Sequence, residues 1–243
     1  MFSFRVTTYN IHKCQGLDRR VRPKRIADVL REIDADIIAL QEVVGMDETA
    51  RERNQVRAIA DELGCEFRIG ENRRHGGAAY GNAVLSRLPL VGDHNHDITW
   101  RKREPRGCLQ VTLASEDRPN VPRVNVYNVH LGTAFFERRS QAHRLLEVVD
   151  HQSHSVPRII LGDFNEWTRG LATRLLSHHF TMAEPAYRLG RARTYPSVLP
   201  LMHLDHIYYD SEIELKNVTV HRSRLALVAS DHLPVVADFR LKQ

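Results

Sequence analysis

The chain has 243 residues, 42% of them hydrophobic and 27% charged, a balance that excludes intrinsic disorder and supplies enough apolar surface for a core. A formal net charge of +5 and a pI near 9.3 favour anionic partners: nucleic acid, phospholipid head groups or phosphorylated small molecules. Three cysteines, Cys14, Cys65 and Cys108, lack CxxC spacing, which argues against a disulfide framework and a cysteine zinc site.

In chain order, the first segment, Phe4 to Ile11, is rich in β-branched and aromatic residues and reads as a strand. Pro23 then opens a helix with Ile26, Val29, Leu30 and Ile33 on one face. Asp36 to Val43 is a continuous apolar run, as expected of a strand covered on both sides, and it ends in the polar pair Gln41 and Glu42. A second helix is expected over Arg53 to Leu63, stopped by Gly64. Strands follow at CEFRIG, AYGNAVLS and VGDHNHDITW, with Arg73 to Gly81 reading as a loop.

Cys108–Leu113 and Val124–His130 read as strands joined by the turn EDRPNVP, and Phe135–Asp150 is the clearest helix. Arg158–Phe164 is another buried strand, followed by a helix near Leu171–Ser177 and strands at LDHIYYD, LKNVTVH and LPVVADFRL. No linker or sequence repeat interrupts this order, so one domain over residues 1–243 is expected, with two packed sheets and helices outside them. No apolar stretch reaches the roughly 18 residues that span a bilayer, and the MFSFRVTTYNIHK start lacks a signal-peptide pattern. A cytoplasmic monomer without stable membrane insertion is therefore expected.

The chemistry concentrates at strand ends. Asn10, Glu42, His130, Asp163 with Asn165, Asp205 and Asp231 with His232 each border an apolar run. Such a recurrence points to one cleft. Residues two apart in extended backbone share a side, so GDFN would aim Asp163 and Asn165 at one point and turn Phe164 away. Gly162 would allow close backbone approach. A carboxylate there could take a proton from water, and an amide could hold a phosphoryl oxygen or orient the water; an Asx turn is the plain structural alternative. Glu42 is a hard oxygen ligand of the kind Mg²⁺ uses sparingly beside substrate phosphate. Asp205 and Asp231 flank His232 as carboxylates able to fix a tautomer and stabilise an imidazolium. His94, His96, His151, His154, His178 and His179 lie in polar segments and read as surface residues, without an HExxH or cysteine pattern that would indicate zinc.

Together, TYN, LQEV, GNAVLSR, NVHLG, GDFNEW, TYP, LDHIY and SDHLPV occur in the order of the endonuclease/exonuclease/phosphatase superfamily, which the chain resembles from about residue 4 to residue 240. The resemblance implies a four-layer α/β/β/α sandwich of two mixed β-sheets, DNase I-like, and a phosphoester hydrolase using Mg²⁺ or Mn²⁺. It implies Glu42, Asn10 and Asp231 on the metal side. It also implies Asp163 for activating water, Asn165 for phosphate, His232 oriented by Asp205 for the transition state, and His130 as phosphate contact or leaving-group acid. Arg106 corresponds to a phosphate contact. Two positions depart from relatives: His12 stands where many nuclease members have an acid, and Ala229 where abasic-site endonucleases carry Trp.

The expected partner is an anionic phosphoester, nucleic acid first. Arg19, Arg20, Arg22, Lys24 and Arg25 form one basic run; Arg101, Lys102, Arg103 and Arg106 form another beside Trp100, suited to tracking a backbone and stacking a base. Trp167 is placed either at the cleft rim or against the following helix. A phospholipid or other small phosphodiester is the alternative, and a non-catalytic nucleic-acid-binding module the third reading.

Overall fold

A computed structural model describes residues 2–45, 54–114, 123–150, 156–167, 170–184 and 193–242. Strand β1 (Ser3–Asn10) leads through α1 (Pro23–Ile33) to β2 (Ile37–Val44). Pro23 occupies the first turn of α1, whose Ile26, Val29, Leu30 and Ile33 are buried, and Asp34 ends the helix in the left-handed region at φ 55°. Next comes α2 (Gln55–Leu63), which starts later than the expected Arg53. The Asn54 side chain caps it by accepting from the Arg57 amide at 2.9 Å, and Gly64 closes it at φ 65°.

The chain continues through β3 (Glu66–His75), β4 (Ala78–Ser86), β5 (Leu90–Asp97), β6 (Gly107–Leu113) and β7 (Val124–His130). The loop expected over Arg73–Gly81 is instead a tight hairpin: β3 and β4 stay paired to His75 and Ala78. Gly76 and Gly77 at φ 57° and 87° make the turn, so the glycines that suggested a long loop serve only its two-residue tip. The EDRPNVP turn, His151 and His154 lie outside the described residues.

Helix α3 (Phe135–Asp150), β8 (Arg158–Asp163), α4 (Leu171–Ser177), the short β9 (Thr181–Met182), β10 (Asp205–Tyr209), β11 (Ile213–Val220), α5 (Ala226–Ala229) and β12 (Val235–Leu241) complete the order. Neither β9 nor α5 was expected; two paired residues and one helical turn leave no periodic pattern to read.

The strands form two six-stranded mixed sheets, β11-β12-β1-β2-β4-β3 and β5-β6-β7-β8-β10-β9. Each has one central parallel pair, β1 with β2 and β7 with β8. Parallel neighbours need a crossover, and α1 and α3 supply it. One core fills the space between the sheets, with Val6, Ile37 and Val84 meeting Val111, Val126 and Leu161. A second lies between the first sheet and α1, α2; a third lies under α3 and α4. Three apolar cores between four layers give the α/β/β/α sandwich.

The dry interface between the sheets becomes polar near the carboxyl ends of the parallel strands. The buried Asn128 of β7 donates to the carbonyls of Leu40 at 2.9 Å and Ala83 at 2.8 Å in the opposite sheet. It accepts from Gln41 Nε2 at 2.8 Å. Leu40 and Ala83 form the last pair before a register shift in the β2–β4 ladder. These bonds fix the sheets against each other in angle and offset, which apolar packing alone does loosely. Replacing Asn128 by Leu should destabilise the fold by about 2–4 kcal/mol, since buried polar partners lose their bonds. Urea denaturation followed by circular dichroism checks this; a loss under about 0.5 kcal/mol would show that the polar seam does not hold the sheets.

Candidate active site

The two parallel pairs deliver their carboxyl ends to one edge of the sandwich. Asn10 ends β1 in register with Gln41 of β2, and His130 ends β7 opposite Asp163 of β8. Asp205 opens β10 opposite Asp163 on its other side. A cleft of about 400 Å³ opens there, with Asn10, Glu42, Arg106, His130, Asp163, Asn165 and His232 among its walls.

Asp163 sits at the centre, 1% exposed. Its Oδ2 accepts from Asn10 Nδ2 at 3.0 Å and faces His130 Nε2 at 3.5 Å and His232 Nε2 at 3.6 Å. Its Oδ1 accepts from the Asn165 amide at 2.9 Å. The Asx turn and the functional arrangement therefore coexist, with one oxygen serving each. Asn165 reaches the cleft through a left-handed backbone at φ 49°, not through the extended run expected from GDFN. Its Nδ2 donates to the Leu131 carbonyl at 2.9 Å. Phe164 turns away and packs edge-on to Tyr208. Gly162 is required: at φ 147°, a Cβ would lie 1.9 Å from the Val129 carbonyl oxygen.

Glu42 also sits at positive φ, 56°, at the irregularity between Leu40 and Val43. A bulge there re-aims the side chain into the cleft. Its Oε2 accepts from Lys13 Nζ at 2.9 Å, and its Oε1 faces Asn10 Nδ2 at 3.4 Å. Burial would raise its pKa, but His130 and Lys13 outweigh that and hold it at about 2.

The two histidines are tuned in opposite directions. His130 is pushed down to about 4, first by burial and then by Arg106. Arg106 Nη1 lies 2.9 Å from His130 Nδ1, and a guanidinium only donates. Nδ1 is therefore the acceptor, and the proton resides on Nε2, facing Asp163. Burial lowers the His232 pKa as well, but Asp205 and Asp163 overcome it and bring it up to about 10. Asp205 Oδ2 accepts from His232 Nδ1 at 2.9 Å. Burial raises the Asp163 pKa, against the pull of His232 and His130.

Asp205 stands behind His232, fully buried. Asp231 is also outside the cleft wall: its Oδ1 lies 3.6 Å from His12 Nδ1 and accepts from Ser230 Oγ at 3.3 Å. Asn10 presents its amide nitrogen to the carboxylates, while its oxygen accepts from the His12 amide at 3.1 Å. Arg106 is buried and tied to Glu104 at 2.8 Å. Trp167 is 65% exposed and lines the mouth, which settles the two placements left open for it in favour of the rim. His94 and His96 lie on β5, outside this cleft.

Several wall residues have no strand-end signature. Lys13 lies in a turn where His12, Lys13 and Cys14 all have positive φ, a geometry that NIHKC does not advertise. Arg73 and Tyr80 come from the hairpin, with the guanidinium 4.2 Å from the ring centroid. Tyr195 tilts over His232 at 5.0 Å. The only audible signal for Lys13 was its place beside the Asn10 motif.

Asp163, Asp205 and His232 offer ligand atoms within 4.8 Å of one another. Within this trio Asp205 engages His232 Nδ1 at 2.9 Å, which leaves Nε2 turned towards Asp163. Glu42 is the other hard-oxygen donor of the cleft, its Oε2 bonded to Lys13 and its Oε1 facing Asn10.

The chain matches the sequence profile of the Endonuclease/Exonuclease/phosphatase family over residues 7–232, and it belongs to that family. It is 32% identical to the uncharacterized protein YbhP of Escherichia coli strain K12, across 99% of this chain and 97% of the relative. A family protein from Beutenbergia cavernae shares the fold with TM-score 0.73 and 25% identity, over 99% of this chain and 72% of the other. A mannosyl-6-phosphatase from Bacteroides thetaiotaomicron superposes with TM-score 0.79 at 20% identity, over 98% and 100% of the two chains; at that identity the likeness concerns the fold. Members of this family are phosphoester hydrolases and generally use divalent metals.

The opposed tuning has a direct consequence. A histidine whose pKa rises on folding, here from 6.5 to about 10, stabilises the fold fully below its unfolded value and loses that contribution as pH rises through the folded one. In EDTA, ¹⁵N-resolved imidazole NMR should show His232 as imidazolium and His130 as the neutral Nε2–H tautomer from about pH 6 to about pH 8. Asp205→Asn should bring the His232 titration down towards neutrality. A His232 that titrates near 6.5 in both proteins would contradict the pairing.

Proposed function

We propose that the chain is a divalent-metal-dependent phosphoester hydrolase in which Mg²⁺ or Mn²⁺ offsets the charge of the scissile phosphate. The observation that carries this reading is a buried Asp163 whose Oδ2 faces both His130 Nε2 and His232 Nε2, in one cleft with Glu42. The donor chemistry fits such a cation: Glu42 offers a hard carboxylate, and Asn10 positions it with its amide nitrogen, a sparse set that leaves room for water and substrate. Asp231 supports that side from behind through His12.

The protein groups divide the remaining work. Asp163, raised from the usual carboxylate range, takes a proton from the attacking water. His232, held by Asp205, donates from Nε2 to a phosphoryl oxygen as negative charge builds there. His130, neutral and with Arg106 fixing its tautomer, donates a hydrogen bond from Nε2 to the phosphate and keeps its proton, so the leaving-group-acid role that the resemblance implied does not fit it. Asn165 has one amide hydrogen committed to Leu131 and a second left to face the phosphate. Donors already held by neighbours need little reorganisation during the reaction.

Nucleic acid is the substrate class first suggested by the basic runs, and Arg19, Arg20, Arg22 and Arg101–Arg103 are all exposed. Parts of those runs are internally neutralised, however: Arg25 forms paired bonds of 3.0 Å to Asp18, and Lys24 bonds Asp28 at 3.1 Å. Arg101 lies 4.7 Å over the Trp100 ring, taking a face that a base would stack on. The apolar rim of the cleft favours the second reading, a phospholipid.

A panel of an aryl phosphodiester, a phosphomonoester, single- and double-stranded nucleic acids and phospholipids, each with Mg²⁺, Mn²⁺ or EDTA, tests the proposal. Activity should require the cation. Glu42→Gln, Asp163→Ala and His232→Gln should each lower kcat by about 10²–10³-fold. Hydrolysis that persists in EDTA, or an Asp163→Ala protein with unchanged rate, would overturn it in favour of a binding module or unrelated chemistry.

A further inference from the structure

The cleft has a charged floor and an apolar rim. Phe135, Phe136, Trp167, Val198, Leu199 and Leu201 are each 56–66% exposed. They come from three separate segments, and each segment carries cleft-wall residues. Phe135 and Phe136 follow Thr133, Trp167 itself lines the cleft, and Val198 to Leu201 lie between Tyr195 and Met202. Those two residues form a bridge, and Leu201 N–H bonds the Tyr195 carbonyl at 2.8 Å, so the apolar turn projects from the cleft wall. It also abuts α5, where Ser197 Oγ donates to the Leu227 carbonyl at 3.0 Å. Val228 and Leu17, both more than 40% exposed, extend the apolar strip on that side.

Isolated exposed apolar residues are ordinary, but a set gathered around one opening marks an interaction surface. Basic side chains neighbour these segments along the chain. Arg19, Arg20 and Arg22 surround Leu17 and Val21; Arg139 follows the phenylalanine pair; Arg101, Lys102 and Arg103 precede the cleft residue Arg106, and all seven are exposed. Apolar side chains that can enter an acyl layer, ringed by cations that meet anionic head groups, are the chemistry of interfacial binding. Nucleic acid would use the cations but gains little from aliphatic Val198, Leu199 and Leu201. Among the described residues no helix is long and apolar enough to cross a membrane.

We propose that this rim seats the cleft on an anionic phospholipid surface, so that the phosphoester presented to Asp163 and His232 is a lipid head group. This rests on the hydrolase reading above for the chemistry, but the docking can be measured without turnover.

The experiment uses the full chain in EDTA with vesicles of phosphatidylglycerol and phosphatidylcholine, against phosphatidylcholine alone. Flotation should recover protein with the anionic vesicles, less at high salt. In a Trp100→Phe background, the remaining tryptophan, Trp167, should shift its emission to the blue on binding. Phe135→Ser/Phe136→Ser and Val198→Ser/Leu199→Ser should each weaken vesicle partitioning about tenfold or more, while thermal midpoints and hydrolysis of a soluble aryl phosphodiester stay as in the parent. Absence of vesicle binding, or binding indifferent to both double variants, would overturn the proposal. So would rim variants that abolish oligonucleotide binding or a concentration-dependent dimer instead, because the rim would then serve nucleic acid or a second copy. A protein that binds vesicles but hydrolyses no phosphoester would retain the docking surface and sink the catalytic reading alone.

Discussion

The structure depends on the burial of the Asp163 carboxylate. An ionised acid removed from water costs several kcal/mol unless donors replace its hydration. Here the donors come from both halves of the sandwich: Asn10 and His232 from the first sheet and the turn leading into it, and the Asn165 backbone amide and His130 from the second. Asn165 and His130 are local to Asp163, but Asn10 and His232 reach it only when the sheets pack with the carboxyl ends of both parallel pairs on one edge. The cross-sheet bonds of Asn128 and Gln41 hold that alignment. The same geometry that satisfies Asp163 assembles the cleft, so folding and site formation are one event.

Two imidazoles within reach of one carboxylate do different jobs because their second nitrogens meet opposite charges. Arg106 behind His130 keeps that ring neutral; Asp205 behind His232 keeps that ring charged. The cleft thereby brings together an imidazole with a fixed tautomer, a second imidazole whose pKa is raised by its carboxylate neighbours and a carboxylate whose pKa is raised by burial. Pushing neighbouring pKa values apart is how a site with few residue types divides acid and base roles.

Much of this was legible because strand ends in a layered fold are where side chains leave the core. Asn10, Glu42, His130 and Asp163 each follow a run too apolar to be anything but buried strand. What the pattern could not supply was backbone departure from regular geometry. Lys13 arrives through three consecutive positive-φ residues, and Glu42 and Asn165 are aimed by left-handed turns. No periodicity encodes these positions. Arg73 was hidden for another reason: its segment was read as a loop because two glycines outweighed the β-pairing on either side. The family resemblance implies Asp231 on the metal side, yet consecutive residues diverge: His232 lines the cleft and Asp231 faces His12.

The rim and the floor also follow different physical rules. The floor is specified by the requirement that buried charges find partners, which leaves little freedom at Asp163, Asp205 or His232. The rim is under no such folding constraint: Phe136 at 66% and Leu199 at 66% exposure leave most of their apolar surface in water. Stability alone gives no reason to keep large apolar side chains there, since polar residues would fold as well and remain more soluble. Several such side chains from separate turns converge on the one opening that leads to the buried charges. A ligand with a phosphate for the floor and an apolar body for the rim satisfies both regions at once, and a bare polyanion satisfies only the first.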